Sequence, residues 1–145
     1  YWGFPRHESS HAILAVCAAL SMKQAVEQWN QRDDHPSISI GIGINTGEAM
    51  IGNVGSEEFM DFTVIGDAVN TAARLEELTK QYGATILISE TTREQLDGRF
   101  AMESLGVVSI RGQEKMIEVF EVLGFQDMGD NQELSTAIDH FVQTI

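Results

Sequence analysis

The stretch Ser37-Ile38-Ser39-Ile40-Gly41-Ile42-Gly43-Ile44-Asn45 sets an isoleucine at every second position. Successive side chains of an extended chain point to opposite sides, so a period of two predicts a β-strand with one aliphatic face. Its other face carries Ser39, Gly41, Gly43 and Asn45. Side chains this small let a helix, a neighbouring backbone or a ligand come close to the sheet. Tight helix-on-sheet packing is at least as good an account of them as ligand contact.

Upstream, Ile13, Val16, Leu20, Val26 and Trp29 recur at helical spacing from about Ser9 to Gln31. Ser9 or Ser10 is available as a cap, and Asp33-Asp34-His35-Pro36 as a stop. Downstream, Gly47 turns the chain. Ala49–Val54 and Phe59–Val64 then read as strands joined by Gly55-Ser56-Glu57-Glu58 in an antiparallel hairpin. A second helix is predicted from Asp67 to Tyr82, burying Val69, Ala72, Ala73, Leu75 and Leu78 and stopped by Gly83. Ala84–Ile88 reads as a short buried strand, Ser89 as the cap of a short helix near Thr91–Leu96, and Val107–Ile110 with Glu118–Leu123 as a closing strand pair. The mixture is α+β. With 145 residues and 43% apolar composition, the chain has material for one compact core. From Gln126 the composition turns polar, so residues 126–145 read as a tail or the start of a linker, with Glu133–Ile145 able to begin a helix.

Nine basic residues against twenty-two acidic ones leave a formal charge of -13, a field that repels nucleic-acid polymers and anionic membranes. No uncharged apolar run approaches the ~20 residues of a membrane span, and the N-terminus lacks the basic-then-apolar order of a signal peptide. Cys17 is the single cysteine. It sits in the apolar run Ala12 to Leu20, where a buried thiol in a reducing compartment is expected. A cytoplasmic protein, or a cytoplasmic domain of a larger one, fits these features. The opening Tyr1-Trp2-Gly3-Phe4-Pro5 has no initiator Met, as in a sequence that begins inside a larger protein.

Common site templates fail. Gly41, Gly43 and Gly47 are spaced G-x-G-x-x-x-G within a strand pattern, unlike a dinucleotide fingerprint that opens a helix. G-x-x-x-x-G-K-[ST] and G-x-S-x-G are both missing from the sequence. His7 and His11 flank Glu8 one helical turn apart and could share a metal ion, but a solvated helix start accounts for them better. Asp33-Asp34 and Glu57-Glu58 fall in turns, where carboxylates are solvated, and the six methionines form no helical stripe.

The segment Val64-Ile65-Gly66-Asp67-Ala68-Val69-Asn70-Thr71-Ala72-Ala73-Arg74 is different. A strand ending at Ile65 and a helix beginning near Asp67 aim free backbone amides at their junction, with Gly66 permitting the turn and Asp67 placed to cap. Asn70 and Arg74, one turn apart, project on the same side of that helix. An amide can recognise a sugar hydroxyl, and a guanidinium can clamp phosphate oxygens. Pairing of Arg74 with Glu77 or Glu58, and local bonding by Asn70, explain the same residues without a ligand.

As a whole, "SISIGIGINTGEAMIGNVGSEEFMDFTVIGDAVNTAARLEELTKQYGATILISETT" resembles the C-terminal half of the catalytic domain of class III nucleotidyl cyclases, the adenylate and guanylate cyclase family. With "YWGFP" in front and "SIRGQEKMIEVFEVL" behind, the resemblance covers about residues 1–123. It implies a ferredoxin-like α+β core, incomplete at its N-terminal side, over residues 1–125. It also implies a head-to-tail homodimer that binds ATP or GTP between subunits and cyclises it with release of pyrophosphate. By matching position, Asn70 resembles the residue that orients the ribose, and Arg74 the residue that stabilises phosphate charge in the transition state. Thr63 falls at one of two base-selecting positions, where branches of the family carry Asp, Cys or Thr. Its threonine resembles bacterial adenylate cyclases and favours ATP over GTP.

The departures from the family pattern are as specific. The family's Mg2+ or Mn2+ ions sit on two aspartates of the N-terminal half, one in a D-[IL]-x-G-F-T-like block and one in a Gly-Asp turn. Neither block is in this sequence, so metal ligands are not expected in this chain, and Asp67 belongs to a different Gly-Asp pair. The second base-selecting residue lies in that same half. Where many relatives carry a phosphate-binding lysine, this chain has Gln113, with Arg111 or Lys115 as substitutes or as solvated charges. The resemblance thus implies part of an enzyme converting ATP to 3',5'-cyclic AMP and pyrophosphate, the 145-residue chain by itself being inactive. The alternatives are a catalytically inactive nucleotide-binding or dimerisation module, and a guanylate cyclase.

Overall fold

A computed structural model describes residues 1–110 and 115–126. Arg111, Gln113 and the expected helix at Glu133–Ile145 lie outside the described residues, as does all but the first residue of the segment 126–145. The elements run α1 (His11–Asn30), β1 (Ile42–Ile44), β2 (Met50–Gly55), β3 (Met60–Ile65), α2 (Asp67–Tyr82), β4 (Ile86–Ser89), α3 (Glu90–Arg93), β5 (Phe100–Ser109) and β6 (Met116–Phe125). Four strands form a sheet in the order β1-β4-β6-β5, and β2 and β3 pair with each other in a separate antiparallel ribbon. The α+β class expected from the sequence is the class observed.

The isoleucine alternation works as expected, but over a shorter span. Ile42, Gly43 and Ile44 pair in parallel with Ile86, Leu87 and Ile88. Residues 37–41 belong to no strand and complete no ladder. Asn30 substitutes for one: its Nδ2 donates to the Ile38 carbonyl at 2.7 Å, and its Oδ1 accepts from the Ile38 amide at 2.9 Å. Ile38 stays 48% exposed.

One helix covers each face of the sheet. Val16, Cys17, Ala19 and Leu20 of α1 pack with Ile86, Ile88, Phe100, Phe120 and Val122, and the row Ile42 and Ile44 joins them. Leu75 and Leu78 of α2 pack with Leu87, Val119 and Ala84 on the other side. Period-two alternation along β4 divides its residues between these clusters. The glycine face of β1 meets α2: a Cβ on Gly43 would collide with the Ala72 carbonyl and the Glu76 amide and stand 2.9 Å from the Leu75 carbonyl carbon. Helix packing, one of the two accounts of those small residues, is therefore realised. Burial pushes the Cys17 thiol pKa up, a shift that the charge of Arg99 opposes and that of Asp97 adds to.

Several local expectations need correction. Trp29 does not join the core. It is 42% exposed, stacked on His35 with ring centroids 3.7 Å apart and covered by the Arg32 guanidinium at 5.7 Å, so it braces the turn after α1. Ala73 is exposed, whereas Thr71 and Thr79 are buried. A hydroxyl can be buried where it finds a partner, and Thr79 Oγ1 donates to the Glu76 carbonyl at 2.6 Å. The closing pair is longer than the apolar pattern indicates, because β5 and β6 are ten residues each and are fitted together by register shifts at Ala101/Met102 and Ser104/Gly106. Helix α3 is confined to Glu90–Arg93, and Ser89 caps it as expected, accepting from the Thr92 amide.

The close approach at Gly43 makes a quantitative prediction. Gly43→Ala forces α2 off the sheet and should cost about 3 kcal/mol, at the upper end of overpacking penalties. Gly52→Ala adds a methyl in open space and should change stability by less than ~0.5 kcal/mol. Chemical denaturation of the two variants checks the contrast.

Candidate functional site

Strand β3 leads into α2 through Gly66, whose φ of 139° and ψ of 172° belong to a region open essentially to glycine. The Gly66 carbonyl accepts from the amides of Val69 at 3.0 Å and Asn70 at 3.3 Å, which starts the helix. Gly66 itself is the N-cap and supplies no side-chain bond, so Asp67 is not the cap expected from sequence. Asp67 instead opens the first turn, where its negative charge complements the helix dipole. That charge weakens the attraction of this helix end for an anion. At the other end, Gly83 closes the helix in the left-handed conformation, φ 63° and ψ 26°.

Asn70 and Arg74 lie one turn apart on the outward side of α2, away from buried Thr71, Leu75 and Leu78. Asn70 is exposed, and its carboxamide takes no hydrogen bond among the described residues. Arg74 Nη1 donates to Glu77 Oε2 at 2.8 Å; the side chains are 25% and 62% exposed, respectively. Of the two ion pairs open to Arg74 from sequence, Glu77 is the one formed. The Arg74 Nε is buried and has no hydrogen-bond partner among the described residues. Thr63 is half-buried on β3, opposite Gly52 in the ribbon.

A cavity of about 800 Å³ opens between the start of α1 and the layer formed by β1 and α2. Trp2, Phe4, His11, Asn45, Val64 and Ala72 are among its walls. Asn70, Arg74 and Thr63 do not line it, so this space and the outward face of α2 are separate features. His7 and His11 both border the cavity. No group of three His, Cys, Asp or Glu side chains among the described residues is arranged to hold a metal ion. The donor set here does not fit the divalent ions that the resemblance implies.

Sequence reasoning missed the polar joint that fixes where α2 begins. Asn45 Nδ2 donates to the Ala68 carbonyl at 3.0 Å, while its Oδ1 accepts from Ser89 Oγ at 2.7 Å and Thr91 Oγ1 at 3.2 Å. The single Thr91 hydroxyl proton is shared between that oxygen and the Thr46 carbonyl, 2.9 Å away. One carboxamide thus ties the end of β1 to the first turn of α2 and to the β4–α3 junction. The available signal was the Asn-Thr-Gly that ends the isoleucine alternation.

A family model described as the adenylate and guanylate cyclase catalytic domain matches residues 1–122. The chain belongs to this cyclase family. It is 31% identical to adenylate cyclase 1 of Rhizobium meliloti, with 94% of this chain and 21% of that protein covered. It is 40% identical to the adenylate cyclase of Anabaena cylindrica, with 79% and 25% covered. The cyclase chain therefore spans about a quarter or less of the length of these curated relatives. Among solved structures, it superposes with TM-score 0.72 and 27% identity on the guanylate cyclase domain of RhGC from Catenaria anguillulae in complex with GTP, covering 86% of this chain and 65% of that one. The α+β architecture is that of a cyclase catalytic core.

Within this cyclase core, the Asn45 joint sets the position of the helix that carries Asn70 and Arg74. Asn45→Ala strips a partner from the Ala68 carbonyl and from two hydroxyls. It should cost about 1–3 kcal/mol, the penalty for leaving such groups unsatisfied, as measured by urea unfolding. Thr46→Val removes one hydroxyl, paired with that of Thr92 at 3.0 Å, and should cost less.

Proposed function

We propose that this chain is part of a nucleotidyl cyclase that converts ATP to 3',5'-cyclic AMP and pyrophosphate in the cytoplasm, as a homodimer, for intracellular signalling. In this reaction the ribose 3'-oxygen forms a bond to the α-phosphorus, the bond from that phosphorus to the pyrophosphate oxygen breaks, and the 3'-hydroxyl proton is lost. The observation that carries the reading is the shared outward face of Asn70 and Arg74 on α2. Asn70 orients the ribose through its unengaged carboxamide. Arg74 places a permanent cation where negative charge grows on the phosphates, an effect strongest in a preorganised site. Thr63, on the strand that feeds this helix, reads the base through its hydroxyl.

Two further facts support the reading. Both curated relatives described above are adenylate cyclases, and the β2–β3 ribbon exposes Met50, Phe59, Met60 and Phe62, an apolar surface suited to a second subunit. The Mg2+ or Mn2+ ions implied by the family do not fit the donors described here, and no role in this chain's chemistry is assigned to them. Of the phosphate-binding substitutes considered, Lys115 is exposed, and Arg111 lies outside the described residues.

In the full-length protein, Arg74→Ala should lower kcat for cyclic AMP formation about a hundredfold, the loss typical of one transition-state charge contact. Undiminished turnover removes Arg74 from the mechanism. Thr63 predicts a higher kcat/KM for ATP than for GTP, and the opposite preference assigns the chain to the guanylate cyclases. The 145-residue chain alone should form no cyclic AMP with manganese and ATP, and measurable product overturns that part of the proposal.

A further inference from the structure

The charged partner of Arg74 lies on the same helix. Glu77 follows Arg74 by three residues and accepts from its Nη1 at 2.8 Å. This bond uses one corner of a guanidinium that carries five donors in a fixed fork. The Nε, on another edge of the fork, is buried and has no partner among the described residues. The guanidinium is thus held at one end and underused at the other. The Glu77 carboxylate is mostly in water, at 62% exposure, and an exposed helical pair of this spacing is worth less than ~1 kcal/mol. A contact that weak yields to a phosphate, which accepts two parallel N–H bonds from the fork. The chain's formal charge of -13 already opposes an anionic ligand, and Glu77 adds to that opposition beside Arg74.

From this geometry we propose that Glu77 is a positioning residue that occupies the Arg74 guanidinium in the nucleotide-free state and competes with the incoming triphosphate for its donors. The proposal rests on the assignment of Arg74 to phosphate given above. Glu77 holds one corner of the guanidinium on the outward side of α2. It releases that side chain when a better acceptor arrives, so nucleotide affinity is set by a difference between two acceptors.

Neutralising the competitor should therefore tighten binding. In the full-length protein, Glu77→Gln should lower the KM for ATP about two- to fivefold, the range an exposed ion pair allows, and change kcat by less than about twofold. The Kd of a non-hydrolysable ATP analogue should fall in parallel, a readout that needs no turnover. Glu77→Asp keeps the charge and should leave both near the wild-type values. A carboxylate that only stabilises the helix would lower Tm in Glu77→Gln and leave KM and Kd where they were. An unchanged or raised KM and Kd overturns the proposal. Arg74→Ala separates the two failures: loss of turnover there with no shift in Glu77→Gln removes Glu77 alone, whereas full turnover in Arg74→Ala removes the assignment of Arg74 as well.

Discussion

The approach of α2 to the glycine face of β1 is the constraint on which the rest of the structure depends. Gly41 faces Thr79, and Gly43 faces the backbone of Ala72, Leu75 and Glu76. At neither position is there room for a side chain. This closeness lets Leu75 and Leu78 reach Leu87 and Val119 and form the second core cluster. It also determines which residues of α2 remain outside. A helix seated on the sheet by its 72-75-76-79 stripe presents Asn70, Arg74 and Glu77 on the opposite side, because neighbours along a helix face recur at three and four residues.

The same seating divides α2 between two environments. Ala68, Val69 and Ala72 turn toward the cavity beside the start of α1, while Asn70 and Arg74 turn away from it. The cavity is lined from the 68-69-72 side of the helix, yet Asn70, Arg74 and Thr63 do not line it. The outward side carries a carboxamide and an arginine Nε that have no hydrogen-bond partner among the described residues.

Much of this was legible beforehand where a single local rule decides the outcome. The ribbon strands fall within one residue of the expected ranges, since their alternation and turn leave one register. Gly66 and Gly83 stand where positive φ is required, and Ser89 caps α3 because its hydroxyl reaches the Thr92 amide. What was not legible involves partners distant in sequence. Residues 37–41 have the same alternation as 42–44 but no neighbour to pair with. Trp29 is apolar enough for a core but is captured by His35 and Arg32. Asn45 gathers Ala68, Ser89 and Thr91 from two later segments, and no periodicity announces such a joint.

Within the candidate site the division is similar. The spacing of Asn70 and Arg74 settles that they share a helix face, because helical geometry is a local property. Which face that is depended on burial of Thr71 and Thr79 in place of Ala73, a matter of what the sheet offers opposite each position. Sequence alone determined the elements, their glycine hinges and the family, all of which are written in short-range period and motif. The tertiary structure alone decided that α2 turns Asn70 and Arg74 outward and the cavity wall inward, and that Glu77 rather than Glu58 meets the arginine, because orientation and partner choice arise only when distant segments compete for the same space.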